Sequence, residues 1–199
     1  MTIARHNPSL QILLEEVRAC RECEQRLPCG PRPILAAHQD ARVLIIGQAP
    51  GRRVHESGVA WDDASGDRLR SWMGITSNIF YDESKIALVP MGFCFPGAGA
   101  SGDLPPSPEC APLWHDRLLK ELTKVKLTLL VGRYAQKYHL GDQKKSTLTE
   151  TVFAWEQHKP SCLPLPHPSP RNNRWLKKNS WFEESVLPYL KQRVKRLLA

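Results

Sequence analysis

Arg42-Val43-Leu44-Ile45-Ile46-Gly47-Gln48-Ala49-Pro50-Gly51 runs four apolar residues straight into a turn with two glycines and a proline. A continuous apolar run has no polar face, so it predicts a strand covered on both sides, as in a parallel sheet. Two further runs repeat the pattern, Lys85-Ile-Ala-Leu-Val-Pro90 and Lys126-Leu-Thr-Leu-Leu-Val-Gly132. A fourth, Cys162-Leu-Pro-Leu-Pro166, contains prolines and is expected at a sheet edge, where a missing N–H is tolerated. Helical patterns separate them: Gly66 to Gly74, Cys110 to Thr123, Arg133 to Leu140 and Thr147 to about His158. A leading helix around Ser9 to Ala19 and a terminal one from about Trp181 to Leu198 complete the chain, with Ser9 and Thr147 as expected N-caps. Strands alternating with helices predict an α/β three-layer sandwich, a central mainly parallel four-stranded sheet flanked by helices. No repeat or low-complexity linker interrupts residues 1–199, so a single domain is expected.

The composition agrees with a globular fold. Of 199 residues 41% are hydrophobic and 24% charged, and the net charge of +8 is a mild pointer to polyanions. Met1 to Leu14 does not read as a signal peptide, and no stretch has the roughly 20 apolar residues that span a bilayer. A cytoplasmic protein without membrane contact is expected, in which six cysteines are free thiols or metal ligands rather than disulfides.

Ligands of open parallel sheets bind beyond the C-terminal strand ends. Three unusual loops fall there: Gly47-Gln-Ala-Pro-Gly51, Met91-Gly-Phe-Cys-Phe-Pro96 and His167-Pro-Ser-Pro-Arg-Asn172. The first lacks the lysine and hydroxyl partners of a phosphate loop and has no dinucleotide spacing. Alone it reads as an ordinary strand-to-helix turn, and a lone histidine at a strand end is more often structural. Cys20-x-x-Cys23 and the pair Cys94 and Cys110, fifteen residues between them, are compatible with zinc, an iron–sulfur cluster or no metal.

Together these loops resemble the two signature motifs of the uracil-DNA glycosylase superfamily, a glycine-polar-x-proline turn and a His-Pro-Ser loop. Ser57-Gly-Val-Ala-Trp61 looks like the segment that sets an aromatic ring against an extruded base, and Pro168-Ser-Pro-Arg-Asn172 is similar to a minor-groove wedge. The cysteine order resembles that of the branch carrying a [4Fe–4S] cluster, which implies Cys20, Cys23, Cys94 and Cys110 as ligands, zinc being the alternative. Cys29 and Cys162 fall outside that pattern, Cys162 as a buried strand residue. The resemblance, from about Cys20 to Asn172, implies a base-excision enzyme that hydrolyses the N-glycosidic bond of a deaminated base, uracil first, in DNA.

Three positions depart from the resembling enzymes. Gln48 stands where the cluster-bearing branch has glutamate, Ala49 where the uracil-specific branch has aspartate, and Val89-Pro-Met-Gly-Phe93 has no base-reading asparagine. These departures keep two alternatives open: a glycosylase for a deaminated purine such as hypoxanthine, and a non-catalytic binder of damaged DNA. In the expected mechanism His167 donates to the departing base, and water is either placed by Gln48 or activated by Asp62 or Asp63, although paired acids at a helix start also stabilise the helix N-terminus by charge. Ala49, Trp61 and Met91 are expected against the base. Ser169, Arg171, Asn172, Arg174 and Lys177 are expected on DNA, Arg171 and Asn172 as the wedge, since cations interleaved with Trp175 and Trp181 suit phosphates and bases. A monomer acting on DNA with a damaged base is the expected assembly.

Overall fold

The computed structural model describes residues 8–100 and 102–199. The reading of Met1 to Leu14 as no signal peptide falls partly on residues 1–7, outside the described residues. Four strands form one parallel sheet: β1 (Val43–Ile46), β2 (Ile86–Leu88), β5 (Leu127–Val131) and β6 (Cys162–Leu165), in the order β2-β1-β5-β6. A small antiparallel hairpin, β3 (Ala98–Gly99) with β4 (Gly102–Asp103), stands apart from it. Val43 lies opposite both Ile86 and Leu127, and Leu130 opposite Pro164 of the edge strand. The proline-bearing run therefore sits at an edge, as its missing donor requires.

Side chains of a strand alternate between faces, and β1 divides its four fully buried residues accordingly. Leu44 and Ile46 join a cluster with Leu10, Val17, Trp114 and Leu118, from α1 (Pro8–Arg18) and α5 (Cys110–Glu121). Val43 and Ile45 join Leu69, Met73, Phe182 and Leu190 on the opposite face, from α3 (Ala64–Met73) and the C-terminal segment. That division is why the runs are apolar without alternation. The three-layer sandwich expected from the sequence is the observed architecture. Among the described residues no helix is long and apolar enough to cross a membrane.

Several boundaries differ from expectation. α1 starts at Pro8, so Ser9 is inside it rather than its cap, and the Ser9 hydroxyl donates to Glu121 Oε1 at 3.1 Å. Thr147 does cap α7 (Leu148–Phe153), through a reciprocal pair with Glu150, but that helix ends at Phe153 and gives way to a 3₁₀ turn over Trp155–Gln157. The terminal helix opens as a π-helical turn, Phe182–Val186, before α9 (Leu187–Leu198). α6 (Arg133–Leu140) matches its expected span. Three short helices are additional to the expected ones: α2 (Arg52–Ser57), α4 (Ser77–Phe80) and α8 (Asn173–Lys178).

Candidate active site

The C-terminal ends of the strands are tied together before any ligand is considered. Gly47 O accepts from Met91 N and Gln48 O from Gly92 N, each at 3.0 Å, which fastens the loop after β1 to the loop after β2. Buried Gln136 of α6 donates from Nε2 to Leu130 O at 3.3 Å and Leu165 O at 2.9 Å, joining the ends of β5 and β6. Gly132 adopts a φ of 84° and packs 3.6 Å, measured from an added Cβ, from His167 Cβ, so its backbone conformation disfavours any side chain there.

These tethered loops surround a cavity of about 440 Å³. Gln48, Ala49, Trp61, Asp63, Asp103 and His167 line it, and Ser169, Arg171 and Asn172 form part of its wall. His167 Nδ1 accepts from Ser169 N at 3.2 Å, so in the neutral ring the proton sits on Nε2, which is left as the donor. Burial pushes the His167 pKa below its ordinary 6.5, and the Asp63 and Asp103 carboxylates oppose that shift. The ring is neutral at pH 7 and has two carboxylates in electrostatic range.

Trp61 has a φ of 59°, the left-handed region that a bulky side chain avoids. Its surroundings impose it. Arg70 Nη1 donates to Trp61 O at 3.3 Å, and Gly66 lies so close beneath that carbonyl that any Cβ would collide with it. The indole covers Gly47, where an added Cβ would stand 2.6 Å from Cζ2, and stacks beside His167 with ring centroids 5.9 Å apart at 26°. A strained aromatic held from three sides beside an imidazole makes a rigid floor for a flat ligand.

The remaining expected residues separate. Asp62 does not line the cavity: it is half-exposed and pairs with Arg53 Nη2 at 3.9 Å. Asp63 lines it but also caps α3, accepting from Gly66 N at 2.8 Å. Met91 is buried in the core beneath the site, and Pro90 lines the cavity instead. The Asn172 amide donates to His167 O at 2.7 Å, and Arg68 Nη1 donates to Ser169 O at 3.2 Å, so both brace the loop. Ser169 Oγ accepts from Arg171 N at 3.3 Å. Arg171 is exposed, its guanidinium lying against Gly102 of the hairpin, and Arg174 and Lys177 lie exposed on α8.

Asp103, an acid in the loop between two cysteines that the sequence leaves equally readable as a turn residue, lines the cavity. The hairpin carries it there, where its Oδ2 is 3.1 Å from the position of a Cβ on Gly51. Its only signal in the sequence is an acid at the centre of an otherwise glycine- and proline-rich loop.

A second, much smaller cavity, of about 20 Å³, is lined by Cys20, Cys23, Cys94 and Cys110, walled by Pro31 and Phe93 among others. Cys23 Sγ lies 3.1 Å from Ser107 Oγ and accepts from Arg26 Nη2 at 3.6 Å. Burial pushes the Cys94 thiol up to about 11 and the Cys110 thiol up to about 12. Among the described residues no three His, Cys, Asp or Glu side chains are grouped as they are around a single metal ion. Cys29 is exposed, and Cys162 is half-buried in β6 rather than fully buried.

Fold and site together define an open-sheet α/β protein whose ligand cavity lies beyond the strand ends, with a neutral histidine and a fixed aromatic floor. The family model described as the uracil DNA glycosylase superfamily matches residues 35–191, which takes in the whole sheet and every residue lining the cavity except Ile34. The chain belongs to the uracil DNA glycosylase superfamily.

Proposed function

We propose that the chain is a base-excision DNA glycosylase that hydrolyses the N-glycosidic bond of a deaminated base, uracil first. The observation that carries the reading is the His167 tautomer: an Nε2–H donor in a cavity floored by Trp61 and flanked by Asp63 and Asp103. A base within a duplex has to be extruded to be reached, and Trp61 offers it a face on which to stack. As the C1′–N bond breaks, its electron pair leaves with the base and the sugar becomes cationic. His167 Nε2–H donates to the base anion, and the carboxylates stabilise the sugar cation. Water then forms the new C1′–O bond and gives one proton to a carboxylate, which passes it on as the base is released. Asp103 suits that role best, because Asp63 already spends one oxygen on its helix. Gln48 orients the water or the base edge.

A deaminated purine is the second reading. Pro90 lines the cavity in the stretch where the resembling uracil enzymes carry an amide, which removes one reader of a pyrimidine edge. Incubation with oligonucleotides carrying uracil, hypoxanthine or xanthine, followed by alkali, tests both: strand breaks are expected at the excised base. Tight binding without breaks on any of them would leave a damage-binding protein.

The four-cysteine cavity is part of the same proposal. Cys20, Cys23, Cys94 and Cys110 would hold a [4Fe–4S] cluster. A single zinc draws sulfurs to about 3.8 Å of one another, at Zn–S of about 2.3 Å, whereas a cluster accepts a wider set. The hydrogen bond to Cys23 Sγ from Arg26 and the apolar wall suit such a group. When bound, it would brace the loop that carries Asp103.

A further inference from the structure

α8 begins next to the cavity wall at Asn172 and ends at Lys178, and beyond it lies a separate groove of about 590 Å³. Lys144, Lys145, Ser146, Thr149, Phe153 and Trp181 line it. Phe153 is 65% exposed, the most exposed large apolar side chain among the described residues. It stands edge-on to Trp181, with centroids 5.1 Å apart at 90°. The Trp181 ring is fixed in turn, its Nε1 donating to Asn179 Oδ1 at 3.2 Å. Trp175 Nε1 donates to Thr149 Oγ1 at 2.8 Å, which fastens α8 to the groove wall. Glu150, the acid lining the groove, holds the Thr147 N–H of its own helix cap.

An exposed right-angled aromatic step gives one flat face and one wall, the shape that takes an unpaired base. Two lysines at its rim take the phosphates beside it. An acidic peptide would use the lysines but has no need of the step. Arg174, Lys177 and Lys178 are exposed on α8, the helix that the Trp175 hydrogen bond fastens to the groove wall. Six helical residues span about 9 Å, about three base steps at 3.4 Å.

We propose that this groove is a second nucleic-acid site, binding a single-stranded stretch a few nucleotides from the extruded base. One unpaired base stacks on Phe153 against Trp181, and Lys144 and Lys145 contact its phosphates. Its role on damaged DNA rests on the glycosylase reading; the binding chemistry does not.

Undamaged oligothymidylate is therefore the probe, in lengths of about 4 and about 16 nucleotides, with the full chain. Phe153→Ala is expected to weaken binding of the longer oligomer about tenfold, the scale of removing one stacked base. Lys144→Ala with Lys145→Ala is expected to lower the salt slope by about 0.7 per lysine. Melting temperature and the excision rate at saturating substrate should not change, because none of the three residues reaches the cavity. Unchanged affinity in these variants overturns the proposal, as does competition by polyglutamate that Phe153→Ala leaves intact, which marks an acidic protein partner. A wild type that excises no base but binds oligothymidylate through Phe153 would sink the glycosylase reading and leave the groove standing.

Discussion

His167, Asp103, Asp63 and Asp62 carry related chemistry in different surroundings, and single substitutions separate them. His167→Ala removes one preorganised donor and is expected to slow excision about 10² to 10³-fold, with little change in binding to damaged DNA. Asp103→Asn is expected to reduce kcat strongly and Asp62→Asn hardly at all, since Asp62 pairs with Arg53 outside the cavity. Single-turnover rates check both. Charge fixes the sign of a further effect. Burial lowers the His167 pKa while Asp103 raises it, so Asp103→Asn should move the NMR titration of His167 further below 6.5. An unchanged titration would mean that the carboxylate is not in range. Gln48→Glu restores an acid where the resembling enzymes have one and is expected to keep or raise activity.

At the scale of elements, the site depends on two loops outside the parallel sheet, one bearing Trp61 and one bearing Asp103. The loop bearing Trp61 is fixed by glycines: Gly47→Ala would drive a Cβ into the indole and is expected to cost about 1–3 kcal/mol of stability and a larger share of activity. Thermal melts beside single-turnover rates separate the two effects. The loop bearing Asp103 runs from Cys94 to Cys110, so its anchors lie in the cysteine cavity and against Arg171. Cys94→Ser is expected to slow excision through Asp103 while leaving Trp61 fluorescence on base binding unchanged. The strands and the loops after them are legible because a doubly covered strand writes itself as an unbroken apolar run. α2, α8 and the hairpin are not, since elements of two to six residues show no period and are held by tertiary packing. Asp103 is hidden for the same reason. Asp62 and Asp63 look alike in sequence, and the structure separates them: Asp63 caps α3 and lines the cavity, while Asp62 pairs with Arg53 outside it.

The whole molecule carries +8, Arg171 lines the cavity and Arg174, Lys177 and Lys178 are exposed on α8, so affinity for DNA should fall steeply with salt. If Arg171, Arg174 and Lys177 each hold a phosphate, replacing any one by alanine should lower the log–log slope by about 0.7 to 0.9, and an unchanged slope in the triple variant would place them off the DNA. Stability has its own pH signature. His115 Nε2 faces Pro90 O at 3.0 Å and must donate to it, so His115 Nδ1 accepts from His139 Nε2 at 3.0 Å, and burial pushes His139 down to about 4. Both rings are neutral in the folded protein and return to ordinary values near 6.5 on unfolding. The unfolded chain therefore binds more protons below 6.5, and stability is lost as pH falls from there, toward 4 for His139 with a slope approaching about 1.4 kcal/mol per unit, and His115 adds in the same direction. Denaturant melts of His139→Gln against the wild type should show the slope shrink. The central claim is hydrolysis of a deaminated base, and the release of free base from oligonucleotides bearing uracil or hypoxanthine measures it most directly. Release of one such base by the wild type, strongly slowed by His167→Ala and Asp103→Asn and retained by Asp62→Asn, is the predicted result; undiminished release by both cavity variants, or tight binding of these oligonucleotides with no base released, would contradict it.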